Sequence, residues 1–322
     1  MKFRTKTETR EQTRKISHQT PVLMMGSCFT GHIGSILEKN LFSVQVNPFG
    51  VIYNPASVKR NLEALLHREQ YGEEDLGFHD GLWYSFDHYT PFSHPDKDKA
   101  LEQINEAFRE AKNFLQKARF LVITFGTAWV YRLRETGQIV CNCHKIPARQ
   151  FDRFLLDPAT IVSDFEQVLD KIQHSNPGLH TLFTVSPVRH LKDGHTGNQV
   201  SKSSLMLAVH KLVEGNPEMR SYFPSYEIMM DDLRDYRFYE PDMVHPNETA
   251  ITYIWEKFAG FAIDPASLQI INELTPLLKG RAHRPMRRDT PQYQKFIYQL
   301  EKKERKLREK FPFLRWEALP EK

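Results

Sequence analysis

Three side chains of the types that carry acyl-transfer chemistry stand near the two ends of the 322-residue sequence. Ser27 supplies a hydroxyl, which is a weak nucleophile until a neighbouring base takes its proton. Asp242 and His245 are three residues apart, so the carboxylate can accept a hydrogen bond from one imidazole nitrogen. The other nitrogen is then free to take the serine proton. We expect these three residues to form one site, in which Ser27 is an activated nucleophile.

The residues around Ser27 predict the geometry that such a nucleophile needs. Residues 21–25 form a short apolar run typical of a buried strand, and Gly26 ends it. Over residues 29–37 the apolar positions recur at helical spacing. Ser27 therefore lies in a strand-to-helix turn, where backbone N–H groups can stabilise an oxyanion. The alternative is that Ser27 only fills the turn or caps the helix.

The rest of the chain alternates apolar strands with amphipathic helices, which predicts an α/β fold with a parallel sheet wrapped by helices. Further strands are expected at residues 120–125, 182–185 and 226–230, with a β-hairpin over 129–140. Helices are expected from Asn54-Pro55 onward, over 95–115, 157–172 and 202–213, and after Asn247. Because the carboxyl ends of parallel strands meet at one edge, we expect Ser27, Gly126 and Ser186 to lie together.

The sequence Gly-Ser-Cys-Phe at residues 26–29, with the late Asp242-x-x-His245, resembles the layout of SGNH/GDSL-type hydrolases. More closely, it resembles the GSCFA family, which is named for this motif, although the fifth position here is Thr30 rather than alanine. Five further stretches resemble blocks of that family in the same order: Asn47-Pro48-Phe49-Gly50, Phe125-Gly126-Thr127-Ala128-Trp129, Asn142-Cys143-His144-Lys145, Ser186-Pro187-Val188-Arg189 and Asp235-Tyr236-Arg237-Phe238-Tyr239. The resemblance runs from residue 21 to residue 312.

The resemblance implies a three-layer SGNH-hydrolase-like domain, which we expect over residues 1–263. It implies that Ser27 is the nucleophile, that His245 is its base and that Asp242 orients His245. The expected reaction is ester hydrolysis that removes a small acyl group, such as acetyl, from a small-molecule or carbohydrate substrate. Two alternatives remain: transfer of the acyl group to another alcohol by the same triad, and a non-catalytic binding protein that retains the fold.

Hydrolases of this type usually stabilise the oxyanion with three donors, and the resemblance assigns two of them to the N–H groups of Ser27 and Gly50. The third is normally an asparagine side chain, which does not follow Gly126 here. The Thr127 hydroxyl and the Asn142 amide are the two candidates. Arg189, at a predicted strand end, is a candidate for binding a substrate hydroxyl or carboxylate, with a surface salt bridge as the alternative.

The three cysteines do not predict a disulfide framework or a metal centre. Cys28 adjoins Ser27 and is a rival nucleophile, although we expect it to pack behind the turn. Cys141-x-Cys143-His144 lacks the second ligand pair that a structural zinc site needs, and both thiols would share one strand face. We therefore predict no metal and no cofactor. The few cysteines and the polar first 20 residues predict a cytoplasmic protein with no membrane partner.

Composition and charge are those of an ordinary globular protein, with 40% hydrophobic and 26% charged residues. The net charge of +4 is too small to indicate a nucleic-acid partner. Residues 264–322 are expected to form a basic helical extension, with helices over 268–278 and 292–310. The linker between these helices is basic and contains Arg281, His283, Arg284, Arg287 and Arg288. Its neighbouring helix has Glu–Lys pairs at helical spacing, which favours a solvated helix over a polyanion-binding surface.

Overall fold

The computed structural model describes residues 4–9, 12–283 and 287–319, so Arg284 of the basic linker lies outside the described residues. The strands are β1 (Val22–Gly26), β2 (Val44–Val46), β3 (Gly77–His79), β4 (Leu82–Tyr84), β5 (Phe120–Phe125), β6 (Trp129–Leu133), β7 (Phe151–Leu155), β8 (His180–Val185) and β9 (Arg220–Phe223). The helices are α1 (Cys28–Lys39), α2 (Pro55–His67), α3 (Lys97–Lys117), α4 (Pro158–Ser175), α5 (Gly194–Gly215), α6 (Ser225–Glu227), α7 (Glu248–Ala262), α8 (Pro265–Ala282) and α9 (Pro291–Lys310).

Five parallel strands form the central sheet in the order β2-β1-β5-β8-β9. Successive side chains of a strand point to opposite faces, and both faces of β1 are buried. Leu23 and Met25 join the hydrophobic cluster under α2, α3, α4 and α5, whereas Val22 and Met24 join the cluster under α1 and α7. The fold is therefore α/β with three layers and a parallel sheet, as the sequence predicts.

The first strand and helix form as predicted, and Gly26 shows why the turn between them is tight. Its φ of +144° is a conformation that favours glycine, and a Cβ at this position would collide with the Thr124 carbonyl of β5. The Gly26 N–H donates to Asn47 Oδ1 at 2.9 Å, which ties the turn to the loop after β2. The glycine thus allows a tight turn from β1 to α1 at Ser27 while the backbone stays packed against β5.

The β-hairpin predicted over residues 129–140 forms in part. Residues 138–140 pair antiparallel with β6 through the bridge Arg132↔Ile139 and the hydrogen bonds from Leu133 N–H to Gln138 O, 2.8 Å, and from Val140 N–H to Tyr131 O, 3.0 Å. The longer ladder of β6, which the sequence does not predict, is with β7 and runs from Trp129↔Leu155 to Leu133↔Phe151. The chain then leaves β6 because the Cys141 N–H donates to Phe86 O at 2.8 Å. Residues 141–145 are consequently a loop rather than a strand, with positive φ at His144 and Lys145.

The strand predicted at residues 226–230 is also wrong. These residues are helical, in α6 and the following π-helix Ile228–Leu233, and the edge strand is β9 instead. β9 escaped prediction because it contains Arg220 and Ser221, whereas the apolar residues after it pack as one helical face against the sheet. The helix predicted at 202–213 begins earlier than expected, because α5 already starts at Gly194.

The C-terminal helices form as predicted and share a hydrophobic cluster. Asp264 caps α8 through a hydrogen bond from the Ser267 N–H, 3.0 Å. The buried members of the cluster are Leu41, Ile270, Leu274, Leu277, Leu300, Leu307, Leu314 and Trp316. Across the described ranges, no helix combines the length and apolar composition that a membrane span requires.

Candidate functional site

Ser27 lies at the carboxyl end of β1, immediately before the first residue of α1. Its residue surface is only 2% exposed, and its hydroxyl makes no cap hydrogen bond to the helix. Among the residues that the structure describes, no group hydrogen-bonds Ser27 Oγ at all. A buried hydroxyl without a partner is uncommon, and it is available to a substrate or a base.

The predicted pair of Asp242 and His245 forms as expected from its spacing. His245 Nδ1 and Asp242 Oδ2 are 2.6 Å apart, and Asp242 Oδ1 accepts from the N–H groups of Val244 and His245, both at 2.9 Å. These bonds lower the pKa of Asp242 to about 2, so the carboxylate stays ionised at neutral pH. The loop is closed by the Glu240 N–H, which donates to His245 O at 2.8 Å. The His245 side chain remains 44% exposed, so its Nε2 edge is accessible.

Ser27 and His245 line the same cavity, which has a volume of about 790 Å³. The cavity opens at the carboxyl edge of the sheet, and Ser186 also lines it, as the strand-end argument predicts. The predicted Gly126 does not line it, whereas the next residue, Thr127, does. Ser27 Oγ and His245 are not hydrogen-bonded to each other. Catalytic hydrogen bonds are often long before a substrate binds and tighten only in the complex. The structure therefore brings the nucleophile and the base to one cavity without the bond between them.

The two predicted backbone donors are both bonded elsewhere. The Ser27 N–H donates to Thr124 O at 3.1 Å, as an extension of the β1–β5 ladder. The Gly50 N–H donates to Asn47 O at 2.7 Å, and Gly50 is not among the residues that line the cavity. Neither N–H is free to receive an oxyanion in this structure. The first turn of α1 does offer donors, because the N–H groups of Cys28 and Phe29 have no acceptor within the helix.

The two predicted side-chain donors line the cavity but have other partners. The Thr127 hydroxyl lies 3.0 Å from Ser201 Oγ and accepts from the Trp129 N–H at 3.1 Å. The Asn142 amide donates to Thr90 Oγ1 at 2.8 Å, and Asn142 Oδ1 accepts from the His144 N–H at 2.9 Å. Both side chains therefore hold loops in place, and their role as the third donor stays a prediction.

Asn54, which the sequence places only at the start of a predicted helix, is a better-placed side-chain donor. Its Oδ1 caps α2 by accepting from the Ser57 N–H at 2.9 Å, and Asn54 lines the cavity together with Ser27. Within the described part of the chain, Nδ2 of Asn54 has no hydrogen-bond partner. The cap fixes the oxygen, so the amide N–H groups of this side chain remain available to a ligand. The resemblance places an asparagine donor after Gly126, whereas Asn54 precedes α2.

Comparison with known proteins identifies the family of this chain. The family model described as the GSCFA family matches residues 21–258. The chain belongs to the GSCFA family. A second model, the GSCFA domain protein C-terminal domain, matches residues 275–320, and the predicted boundary between residues 263 and 264 falls between the two matches. No curated protein matches the chain.

In this GSCFA family protein, Arg189 and His190 also line the cavity. Arg189 Nη2 lies 3.0 Å from Met230 Sδ. His190 packs edge-on against Tyr53, and its buried Nε2 has no partner among the described residues. Burial, together with the positive charge of Lys202, lowers the pKa of His190 to about 4. The imidazole is therefore neutral at physiological pH.

Lys202 is a functional candidate that sequence reasoning missed, because it lies inside the amphipathic pattern of α5. It is fully buried, and its Nζ donates to Gly126 O and to Ser186 O, both at 2.7 Å. These carbonyls end β5 and β8, so one ammonium joins the two strand ends beneath the cavity. Burial and the charge of Arg189 lower the pKa of Lys202 to about 7. No sequence pattern could have shown this contact, because it joins three distant segments.

The cysteines of this family member fit packing roles better than chemical ones. Cys28 Sγ lies 3.6 Å from the Tyr53 hydroxyl at the cavity wall, so it does not pack wholly behind the turn. Burial raises the pKa of Cys141 to about 12 and that of Cys143 to about 11. Both thiols are thus protonated at neutral pH. In the described ranges, no three His, Cys, Asp or Glu side chains are grouped to hold a metal ion.

Proposed function

We propose that this protein is a serine esterase of the SGNH/GDSL type, which removes a small acyl group such as acetyl from a carbohydrate-type alcohol. The observation that carries the proposal is that Ser27 and His245 line one cavity, with His245 Nδ1 bonded to the ionised Asp242. An unpartnered serine hydroxyl, a histidine with one oriented nitrogen and an ionised carboxylate are the parts of a serine triad.

In the proposed reaction, Ser27 Oγ attacks the ester carbonyl carbon as His245 Nε2 takes the hydroxyl proton. The tetrahedral oxyanion lies against the N–H of Cys28 and the Asn54 amide, which are two of the donors left free near Ser27. The carbon–oxygen bond to the alcohol then breaks, and His245 returns the proton to the leaving oxygen. Water repeats the sequence on the acyl-enzyme, so the products are a carboxylic acid, an alcohol and free Ser27.

The shape of the cavity supports a carbohydrate-sized substrate. Five aromatic side chains line it: Tyr53, Tyr89, Trp129, Tyr131 and Phe151. Sites for small ligands are typically apolar clefts with a few placed polar groups, and a volume of about 790 Å³ accommodates a sugar-sized alcohol. Aromatic faces suit the apolar face of a sugar ring, while the cavity hydroxyls and amides suit its oxygens.

A fluorophosphonate probe tests the nucleophile, because it reacts with an activated serine and hardly with a resting one. We expect labelling of the wild-type protein that is abolished in Ser27→Ala and strongly reduced in His245→Ala. Cys28→Ala is the matched control, because it removes the neighbouring thiol but keeps the backbone N–H. It should be labelled like the wild type.

The same proteins should be assayed with 4-nitrophenyl acetate. Hydrolysis that is lost with Ser27→Ala supports the esterase. Absence of both labelling and hydrolysis in the folded wild type would instead favour a binding protein that retains the fold. Labelling that disappears with Cys28→Ala would show that the thiol is the nucleophile and contradict the serine mechanism.

A further inference from the structure

The cavity that contains Ser27 is lined by more positive than negative charge. Four Lys and Arg side chains line it, against one carboxylate, that of Asp193. Asp193 is already paired with Arg153. The remaining three cations, Lys145, Arg189 and Lys192, have no carboxylate partner among the described residues. A cavity of this composition attracts negatively charged ligands.

Arg189 is the most constrained of these cations. Its Nε is buried and has no hydrogen-bond partner in the part of the chain that the structure describes. Its Nη2 contacts a thioether, Met230 Sδ, at 3.0 Å, which is a weak acceptor. Arg189 is half-buried, and the Tyr226 hydroxyl is its other polar neighbour. The buried Nε edge carries a desolvation cost that pairing with an anion would recover. No carboxylate of the described residues pairs with this cation, so it is available to an anionic ligand.

The side chains near Arg189 do not supply the negative charge that would balance its positive charge. The ammonium of Lys202 is fully buried on the Gly126 and Ser186 carbonyls, and its pKa is lowered in part by Arg189. His190 follows Arg189 in the chain, but burial together with the charge of Lys202 lowers its pKa to about 4, so its imidazole adds no positive charge. Arg189 and Lys202 are thus the two cations near the carboxyl ends of β5 and β8. An anion at this position would be stabilised by Arg189 and by the protonated form of Lys202.

We propose that the substrate carries an anionic group, a carboxylate or a phosphate, which Arg189 binds in the same cavity as the ester. That the anion belongs to a substrate rests on the proposed esterase function. The anion site itself is independent of the reaction. Arginine presents a planar fork of donors that matches both groups, and such charge-assisted bonds are stronger than neutral ones. Lys192, held at the cavity by the Tyr131 hydroxyl at 2.7 Å, adds a second positive charge at the rim.

With an anion site beside the nucleophile, the expected substrates are esters of acidic carbohydrates or of phosphorylated carbohydrates. A neutral acetylated sugar would leave Arg189 unpaired after binding, and the cost of its desolvation would remain. An acidic sugar can place its ring on the aromatic wall and its carboxylate on Arg189. Specificity would then come from the charge, while the aromatic side chains contribute surface contact.

Calorimetric titration with paired sugars tests the anion site without any hydrolysis. 4-Nitrophenyl β-D-glucuronide and 4-nitrophenyl β-D-glucoside differ only in a carboxylate in place of a hydroxymethyl group, and glucose 6-phosphate supplies the phosphate arm. We expect at least one anionic sugar to bind the wild-type protein about tenfold more tightly than the glucoside, as hydrogen bonds to charged groups suggest. Which one binds distinguishes a carboxylate from a phosphate.

The variant Arg189→Met should reduce the affinity for the anionic sugar to that for the glucoside. Arg189→Lys keeps the charge but loses the planar fork, so it should bind with intermediate affinity. Arg109→Met is the matched control, because Arg109 is exposed on α3 and does not line the cavity. It should bind like the wild type.

A wild-type protein that binds neither anionic sugar more tightly than the glucoside would overturn the proposal, whether or not the variants fold. So would a preference for the anion that survives Arg189→Met. Neither result depends on ester hydrolysis, because binding is measured directly. Conversely, a protein that binds the anionic sugar but is not labelled at Ser27 would keep the anion site and contradict only the esterase.

Discussion

At the scale of single residues, the site combines a buried nucleophile with an exposed base. Ser27 is 2% exposed, whereas the side chains of Asp242 and His245 are about half exposed, at 51% and 44%. The serine is fixed by the sheet and by Gly26, while the pair is held by a short loop that closes on itself. Because Ser27 is held by the sheet, the approach of the base to the nucleophile depends on the loop that carries His245.

Asn54 allows its capping role to be separated from its proposed donor role. Asn54→Asp keeps an oxygen to cap α2 but replaces the amide donor by a carboxylate, whereas Asn54→Ala removes both. We expect Asn54→Asp to lower kcat by about a hundredfold or more, because the carboxylate repels an oxyanion where a donor is needed. Its denaturation midpoint should stay near that of the wild type, and Asn54→Ala should lose about 1 kcal/mol of stability.

Activity and urea denaturation of the two variants provide the check. A normal kcat in Asn54→Asp would show that Asn54 is only a cap. In that case Thr127 and Asn142 would again be the side-chain candidates. A fall in kcat that merely tracks a fall in stability would also contradict the donor role.

At the scale of elements, the position of the cavity depends on the carboxyl ends of β1, β5 and β8. Strand pairing aligns these ends, with Gly26 opposite Thr124 and Phe125 opposite Val185. The Lys202 ammonium then joins the carbonyls of the residues that follow β5 and β8. An element outside the sheet, α5, thus adds a side-chain link between two strand ends that the backbone already pairs, through the Ser186 N–H bonded to Phe125 O at 2.8 Å.

The buried Lys202 should make stability depend on pH. Its pKa is lowered from 10.5 to about 7 in the folded protein, so between these values the unfolded chain binds the extra proton. Stability should therefore rise as the pH increases from 7 towards 10.5, by at most about 1.4 kcal/mol per pH unit. Lys202→Met lacks this group, so its stability should fall further behind that of the wild type between pH 7 and 9. Its neighbour His190, with a pKa of about 4, does not titrate in this range.

Urea denaturation at pH 7, 8 and 9 measures this difference. Lys211→Met is the matched control, because Lys211 is an exposed lysine on the same helix. It should show the wild-type dependence on pH. Parallel curves for the wild type and Lys202→Met would mean that Lys202 keeps an ordinary pKa in the folded protein.

At the scale of the whole molecule, the C-terminal helices cover part of the main fold. Leu268 and Ile271 of α8 pack against the hydrophobic cluster under α7. Leu41, which follows α1, is fully buried in the cluster of α8 and α9. The chain before residue 264 therefore presents apolar surface that the C-terminal part covers, and the extension is more than a solvated basic tail.

Deletion of residues 264–322 should expose this apolar surface and lower the solubility of the remaining protein. We expect a smaller soluble yield and strong binding of a hydrophobic dye, relative to the full chain. Leu274→Ala, which removes a fully buried side chain from the shared cluster, should cost about 2–5 kcal/mol. A soluble truncated protein that is labelled at Ser27 like the full chain would show that the main fold stands alone.

The sequence alone determined the features that local chemistry sets. The buried run before Ser27, the Asn54 and Asn247 caps and the Asp242–His245 pair all depend on residues within one turn of each other. The alternation of apolar strands and amphipathic helices was enough for the parallel α/β class, because a strand buried on both faces has a recognisable composition. Predictions failed where pairing is chosen by distant segments, as with β6, whose five-residue ladder is with β7 and not with the nearby residues of the predicted hairpin, which pair with it only briefly.

Only the tertiary structure decided how the site is assembled. It brought Ser27 and His245, which are more than 200 positions apart in the sequence, to one cavity, and it revealed that the Ser27 and Gly50 N–H groups are already bonded. It placed the Asn54 amide at that cavity and left Arg189 without an anion. These features depend on which hydrogen-bonding groups and charges remain without a partner after every segment has packed. Since the partners come from distant parts of the chain, a local sequence pattern cannot predict which groups are left unpaired.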